Sequence, residues 1–128
     1  MPRSKNIPFF FVVDYLMPLE PRLNPMFGCH AVYVGEKIVF ILRDRKTHPE
    51  VNGVWIATGH EHHKSLKKDL PSLCSVSVLN NGNGETGWQM LQADDENFEP
   101  LVIKACDMVL HGDPRIGKIP KPKKKKKK

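Results

Sequence analysis

Three consecutive stretches decide how the rest of the chain is read. They are Met26-Phe27-Gly28-Cys29-His30-Ala31-Val32-Tyr33-Val34, the pair Gly35-Glu36, and Lys37-Ile38-Val39-Phe40-Ile41-Leu42-Arg43-Asp44-Arg45. Both long runs are rich in β-branched and aromatic residues, which suit a pleated, half-buried surface. The Gly-Glu pair suits a two-residue turn with glycine at a positive φ. The whole reads as a β-hairpin. In its first arm Phe27, Cys29, Ala31 and Tyr33 alternate with Met26, Gly28, His30, Val32 and Val34. In its second arm Ile38 to Leu42 is unbroken hydrophobe, as expected of a central strand covered on both faces.

Upstream, Phe9, Phe10, Val12, Val13, Leu16 and Met17 recur at the spacing of one buried helical face. Pro8 suits the first turn of such a helix, and Pro18 and Pro21 close it. Leu23-Asn24-Pro25 then reads as a turn into the hairpin. Downstream, Arg43 to Pro49 is a charged loop, and Val51 to Gly59 is a third strand with Val54-Trp55-Ile56-Ala57 at its centre. His60 to Leu73 reads as a helix with Leu66, Leu70 and Leu73 on one side. Ser75 to Leu79 and Gly87 to Gln92 are strands joined by the loop Asn80-Asn81-Gly82-Asn83-Gly84. Asp94 to Asn97 open a last helix, where acidic side chains favour the N-terminal end of the dipole. Its stripe of Phe98, Leu101, Val102, Ala105, Cys106, Val109 and Leu110 stops at Gly112-Asp113-Pro114. The order α-β-β-β-α-β-β-α, with short links between successive strands, predicts an α+β domain with a mainly antiparallel sheet.

This order, with Met26-Phe27-Gly28-Cys29 at the start of the first strand and the apolar hairpin around Gly35, resembles the TfoX N-terminal domain family. The similarity spans roughly residues 7 to 112. Cys29 stands where that family's Met-Phe-Gly-Gly carries its second glycine. Fuller members continue into a helix-hairpin-helix domain, whereas this chain reads as a stand-alone member. The resemblance implies a domain of competence regulators and related proteins, and no catalytic residue carries over. Gly28 carries over as a backbone feature, where a side chain would obstruct a bulge or a close contact.

The 128 residues, 40% of them hydrophobic, are enough for one domain with a real core. The reading is residues 1–6 as an arm, 7–117 as the folded domain, and 118–128 as a lysine-rich tail that is disordered by composition. Three widely spaced cysteines, Cys29, Cys74 and Cys106, suit reduced thiols better than a disulfide framework. No apolar run is long enough for a membrane span and no secretory signal opens the chain, so a cytoplasmic location is expected.

The formal charge of +6 is misleading. Eight lysines lie between Lys118 and Lys128; without them 12 basic residues face 14 acidic ones, a net charge of −2 over residues 1–117. A folded nucleic-acid reader would carry its own basic face. The tail, chiefly Lys123, Lys124, Lys125, Lys126, Lys127 and Lys128, suits sequence-independent contact with nucleic acid through counterion release. It equally suits a solubility feature or a solvated end.

His60-Glu61-His62-His63 lacks the four-residue histidine spacing of a zinc-protease helix, because Lys64 occupies the fourth position after His60. His60, His62 and His63 are the metal candidates: His60 and His63, three apart on a helix, could supply two ligands and Cys74 or His30 add others, with a solvated helix start as the default reading. Cys29 and His30 are neighbours on a strand and point to opposite faces, so they cannot pair as nucleophile and base. Asp94, Asp95, Glu96 and Glu99 lack the ligand alternation of a calcium loop. The expected function is a non-enzymatic regulatory or protein-interaction module without a cofactor. Nonspecific nucleic-acid binding through the tail is the alternative, and an enzyme or metal protein using Cys29 or the histidines is the weakest of the three. The sequence leaves the partner and the oligomeric state open.

Overall fold

A computed structural model describes residues 7–26, 28–76 and 88–119 of the chain. Its organising hairpin joins β2 (Cys29–Val34) to β3 (Lys37–Arg43) through Gly35 at φ 61°. Both faces of β3 are covered, as the continuous hydrophobic run predicts. The fold is α+β: an antiparallel sheet with helices packed on it.

The first departure from expectation lies before the hairpin. Arg22–Met26 is not a turn but a strand, β1, paired antiparallel with β2 from Arg22↔Tyr33 to Met26↔Cys29. Pro25 misleads the reading, because proline removes a ladder donor. On an outer strand that donor faces away from the sheet, and β1 is an edge. The Met26–Cys29 stretch therefore spans a strand-to-strand connection instead of opening a strand. Phe27 lies outside the described residues. Gly28 has φ +78°, a backbone conformation that favours glycine, and a Cβ there would stand 2.7 Å from the Arg45 guanidinium, the end of a flexible side chain that can move aside.

Downstream come β4 (Gly53–Ile56), α2 (His60–Asp69), β5 (Cys74–Ser75), β6 (Gln89–Gln92) and α3 (Phe98–Leu110). With α1 (Phe10–Tyr15) they complete a sheet of order β1-β2-β3-β4-β6-β5. The crossover from β4 through α2 leads to edge strand β5, and β6 returns between them. The Asn80–Gly84 loop lies outside the described residues.

The first helix is shorter than its pattern predicts. It ends at Tyr15 and tightens into a 3-10 turn at Met17–Leu19 around Pro18. That change of pitch buries Val12, Val13 and Leu16 but turns Met17 outward. The second helix stops at Asp69, and Leu70 and Leu73 stay in the core beyond it. At the last helix no side chain bonds from the Asn97 cap; Asp95 instead takes the Asn97 amide through Oδ1 at 2.7 Å. The C-terminus of α3 closes with Gly112 N–H on Val109 O and Asp113 N–H on Met108 O, the paired bonds of a Schellman motif.

The main core lies between the helices and one face of the sheet. Val12 and Leu16, Leu66 and Leu70, and Val102 and Cys106 meet Val32, Phe40, Leu42, Val54 and Ile56 there. The opposite face gathers Cys29, Ala31, Ile41, Trp55 and Met90, with the Trp55 indole donating to Val51 O at 2.9 Å. On this second side Arg43 is buried and organises the loop that follows it. Its guanidinium donates to Thr47 O (2.8 Å), His48 O (2.9 Å) and Asn52 Oδ1 (2.7 Å). Asn52 in turn bonds the backbone of Arg45 on both sides.

Arg43→Ala would strand three acceptors that lose their donor together. A loss of about 3 kcal/mol in urea unfolding is expected, with new protease sensitivity between residues 44 and 51. Wild-type stability and wild-type resistance in this variant would show that the buried arginine is dispensable.

Candidate functional site

The segment after α3 forms the most elaborate local structure outside the core. Ile116 is buried among the core side chains. Gly117 N–H donates to Ala57 O at 2.7 Å, and Ile38 and Lys118 exchange two backbone bonds of 2.9 Å. Lys118 thereby occupies, beside β3, the position that β4 vacates after Ile56. Register explains how. Between Val32↔Phe40 and Tyr33↔Ile38 the ladder slips by one residue, leaving Val39 as a bulge. Gly117 has φ +109°, and a Cβ there would press on Lys37 and Val39 at 3.2–3.3 Å.

Arg115 fixes this segment to α2. Nε and Nη2 grip both oxygens of Asp113 at 3.0 and 2.7 Å, Nη2 reaches Asp69 at 3.0 Å, and Nη1 donates to Ser65 Oγ at 2.7 Å. The Arg115 guanidinium, outweighing partial burial, holds the Asp113 carboxyl below its ordinary range. Its charge therefore stays in place until the pH falls well into the acid range, and the segment's hold weakens as pH falls through that lowered value. On the other flank, the Tyr15 hydroxyl donates to Asp107 Oδ1 at 3.0 Å and ties α1 to α3.

Beside the docked segment runs an apolar groove of about 460 Å³. Leu19 forms one wall, Val34 and Val39 of the hairpin another, and Val109 and Leu110 of α3 a third. Ile116 and Ile119 close it. Met17 and Ile119 are the exposed large hydrophobics among the described residues, at 52% and 61%; Ile119 lines the groove and Met17 shares the 3-10 turn of Leu19. The groove's charged lining is Glu36, Lys37 and Asp113, the last committed to Arg115. A shallower depression of about 650 Å³ on the far side of Gly112-Asp113 is lined by Lys104, Asp107, His111 and Arg115.

The other sequence candidates fall elsewhere. Cys29 and His30 lie on β2 with Cys29 packed in the second-face cluster. Burial pushes the Cys29 thiol up, outweighing the opposing pull of Arg43 and Arg45. Burial likewise raises Cys74, and it pushes Cys106 up to about 12. A raised pKa suppresses the thiolate, the reactive form. The His60 and His63 rings lie 5.0 Å apart between centroids with their planes tilted by 51°, and His62 lies 3.6 Å from Glu61. Among the described residues no three His, Cys, Asp or Glu side chains converge on a common point. Lys123 to Lys128 lie outside the described residues. The groove's one faint signal in the sequence is Ile116, the lone large apolar residue between Gly112 and Gly117.

Comparisons with protein-family models, curated proteins and solved structures find no match to this chain. Among the described residues no helix is long and apolar enough to cross a membrane.

Two outcomes follow. Arg115→Ala should speed hydrogen exchange at the Gly117 and Lys118 amides on the order of tenfold or more, beyond any change at core amides. Equal protection in the variant would show that the arginine does not hold the segment. The Cys106 thiol should resist an aromatic disulfide reagent at about pH 8 until the protein unfolds. Its folded pKa stands above the ordinary 9.0, so its contribution to stability is full below pH 9 and falls as pH rises towards 12. Fast labelling of folded protein at that position would contradict this.

Proposed function

We propose that the chain is a non-enzymatic interaction module with a regulatory role that engages a protein partner through the groove beside its docked C-terminal segment. The observation that carries this reading is the groove itself: apolar walls from three separate elements, with the exposed Ile119 on its rim and Met17 in the same 3-10 turn as Leu19. Apolar side chains gathered at a surface concavity mark interaction sites. A small-molecule site would add several convergent polar groups. Here Asp113 is committed to Arg115, while Glu36 and Lys37 sit at the hairpin tip. The elevated thiol pKa values of Cys29, Cys74 and Cys106 favour structural roles for the cysteines over nucleophilic ones. The support for a regulatory setting is the resemblance to TfoX N-terminal domains in the residues Met26–Cys29 and the apolar hairpin around Gly35.

A second reading rests on the lysine run. Eight lysines from Lys118 onward offer an electrostatic hold on nucleic acid, independent of the groove.

Immobilised full chain and its Ile119→Glu variant, exposed to extract with and without nuclease treatment, separate the two. The proposal expects a protein retained by the first and lost from the second. If both retain the same material, and that material disappears with nuclease or with removal of Lys123–Lys128, the nucleic-acid reading replaces it.

A further inference from the structure

Strand β4 opens directly after Asn52, so that Asn52-Gly53 straddles the end of the Arg43 loop. In an extended, solvated chain an asparagine followed by glycine modifies itself. Glycine carries no side chain to shield its nitrogen, and its backbone reaches conformations closed to other residues. The Gly53 nitrogen, once it has given its proton to solvent, bonds to Asn52 Cγ; the Cγ–Nδ2 bond breaks and ammonia leaves. Water then opens the five-membered imide at one carbonyl or the other, leaving aspartate or isoaspartate. Water is the only reagent consumed. We propose that Asn52 is a latent site of this self-modification, held back by the Arg43 loop and released when that loop opens.

The fold requires both halves of the reactive pair. Gly53 has φ +144°, and a Cβ there would overlap Leu91 O and stand 2.9 Å from Ala93 N, so β6 imposes the glycine. Asn52 uses both ends of its carboxamide. Oδ1 accepts from Arg43 Nη1 at 2.7 Å and from the Arg45 amide at 2.9 Å, while Nδ2 donates to Arg45 O at 2.8 Å. An ionised carboxylate supplies no donor for that last bond.

The same contacts oppose the reaction. Ring closure needs the Gly53 nitrogen to swing to the Cβ side of the Asn52 Cα–C bond. Asn52 is instead extended at ψ 141°, and its carbonyl accepts from Ala93 N–H at 2.8 Å, which fixes that peptide plane against β6. The carboxamide, for its part, cannot turn towards Gly53 without leaving Arg43 and Arg45. Every carbonyl from Thr47 to Asn52 accepts a hydrogen bond, and Arg43 supplies those at Thr47 and His48. Opening of the loop at Arg43 therefore lifts both restraints. Closing again is another matter. Aspartate sets a carboxylate against Arg45 O, and isoaspartate adds a methylene to the backbone one residue before β4, which pairs on both sides. The event is one-way.

The test follows Asn52 in full-length protein held in mildly alkaline buffer. The tryptic peptide of residues 47–64 contains a single asparagine, so its mass and retention time assign Asn52, aspartate and isoaspartate without ambiguity. Folded wild type should keep Asn52 at least about tenfold longer than the same chain in denaturing urea, and folded Arg43→Ala should lose it on the order of tenfold faster than folded wild type. Should Arg43→Ala fail to fold, wild type in urea below its unfolding midpoint decides. Conversion should then rise before circular dichroism changes, with the shallow urea dependence of an opening that exposes little surface.

Equal lifetimes in folded and unfolded wild type, or persistence of Asn52 in the unfolded chain, would overturn the proposal. So would a folded Arg43→Ala variant that keeps Asn52 as long as wild type does. Conversion that tracks global unfolding alone would show that the whole fold, and not the Arg43 loop, protects the site, and would overturn it equally.

Discussion

Two hydrogen bonds between Ile38 and Lys118 determine how the C-terminal end of this protein is built. They exist because β4 stops pairing with β3 at Phe40, which leaves backbone groups on β3 that must find partners. The Val39 bulge turns the ladder at that point, and Gly117 lets the returning chain pass close to Lys37 and Val39. Ile116 then enters the core, and Arg115 clasps Asp113, Asp69 and Ser65 outside it. The groove is the space left where this segment, the hairpin and α3 meet. Remove the bridge and one wall of the groove goes with it.

The parts of the fold set by local signals were legible in the sequence. Gly35-Glu36 between two apolar runs specifies a hairpin, and a long apolar stripe ended by Gly112 specifies α3 and its Schellman stop. Parts that depend on tertiary position were not. Pro25 has the same local meaning in a turn and in an edge strand, and only the sheet order tells them apart. Met17 fits a helical stripe until the chain tightens around Pro18. Arg43 carries no mark of burial in the sequence, since its three acceptors come from a loop folded back over it. The groove was the least legible feature, because its walls lie about a hundred residues apart along the chain, from Leu19 to Ile119.

Charge and apolar surface are unevenly distributed along the chain. The folded body lacks an excess of positive charge, and the positive charge that the chain does carry follows directly from the rim of its apolar groove. Burial raises the pKa of the Cys29, Cys74 and Cys106 thiols, and the His60 and His63 rings lie 5.0 Å apart between centroids.

The most direct test of the account is the scalar coupling across the Ile38–Lys118 hydrogen bonds, measured by NMR on the isotopically labelled full chain. The structure predicts a resolved coupling in each direction, from the Lys118 amide to the Ile38 carbonyl and the reverse. A Lys118 amide without coupling, exchanging with solvent at the rate of an unstructured peptide, would remove the bridge and the groove wall built on it.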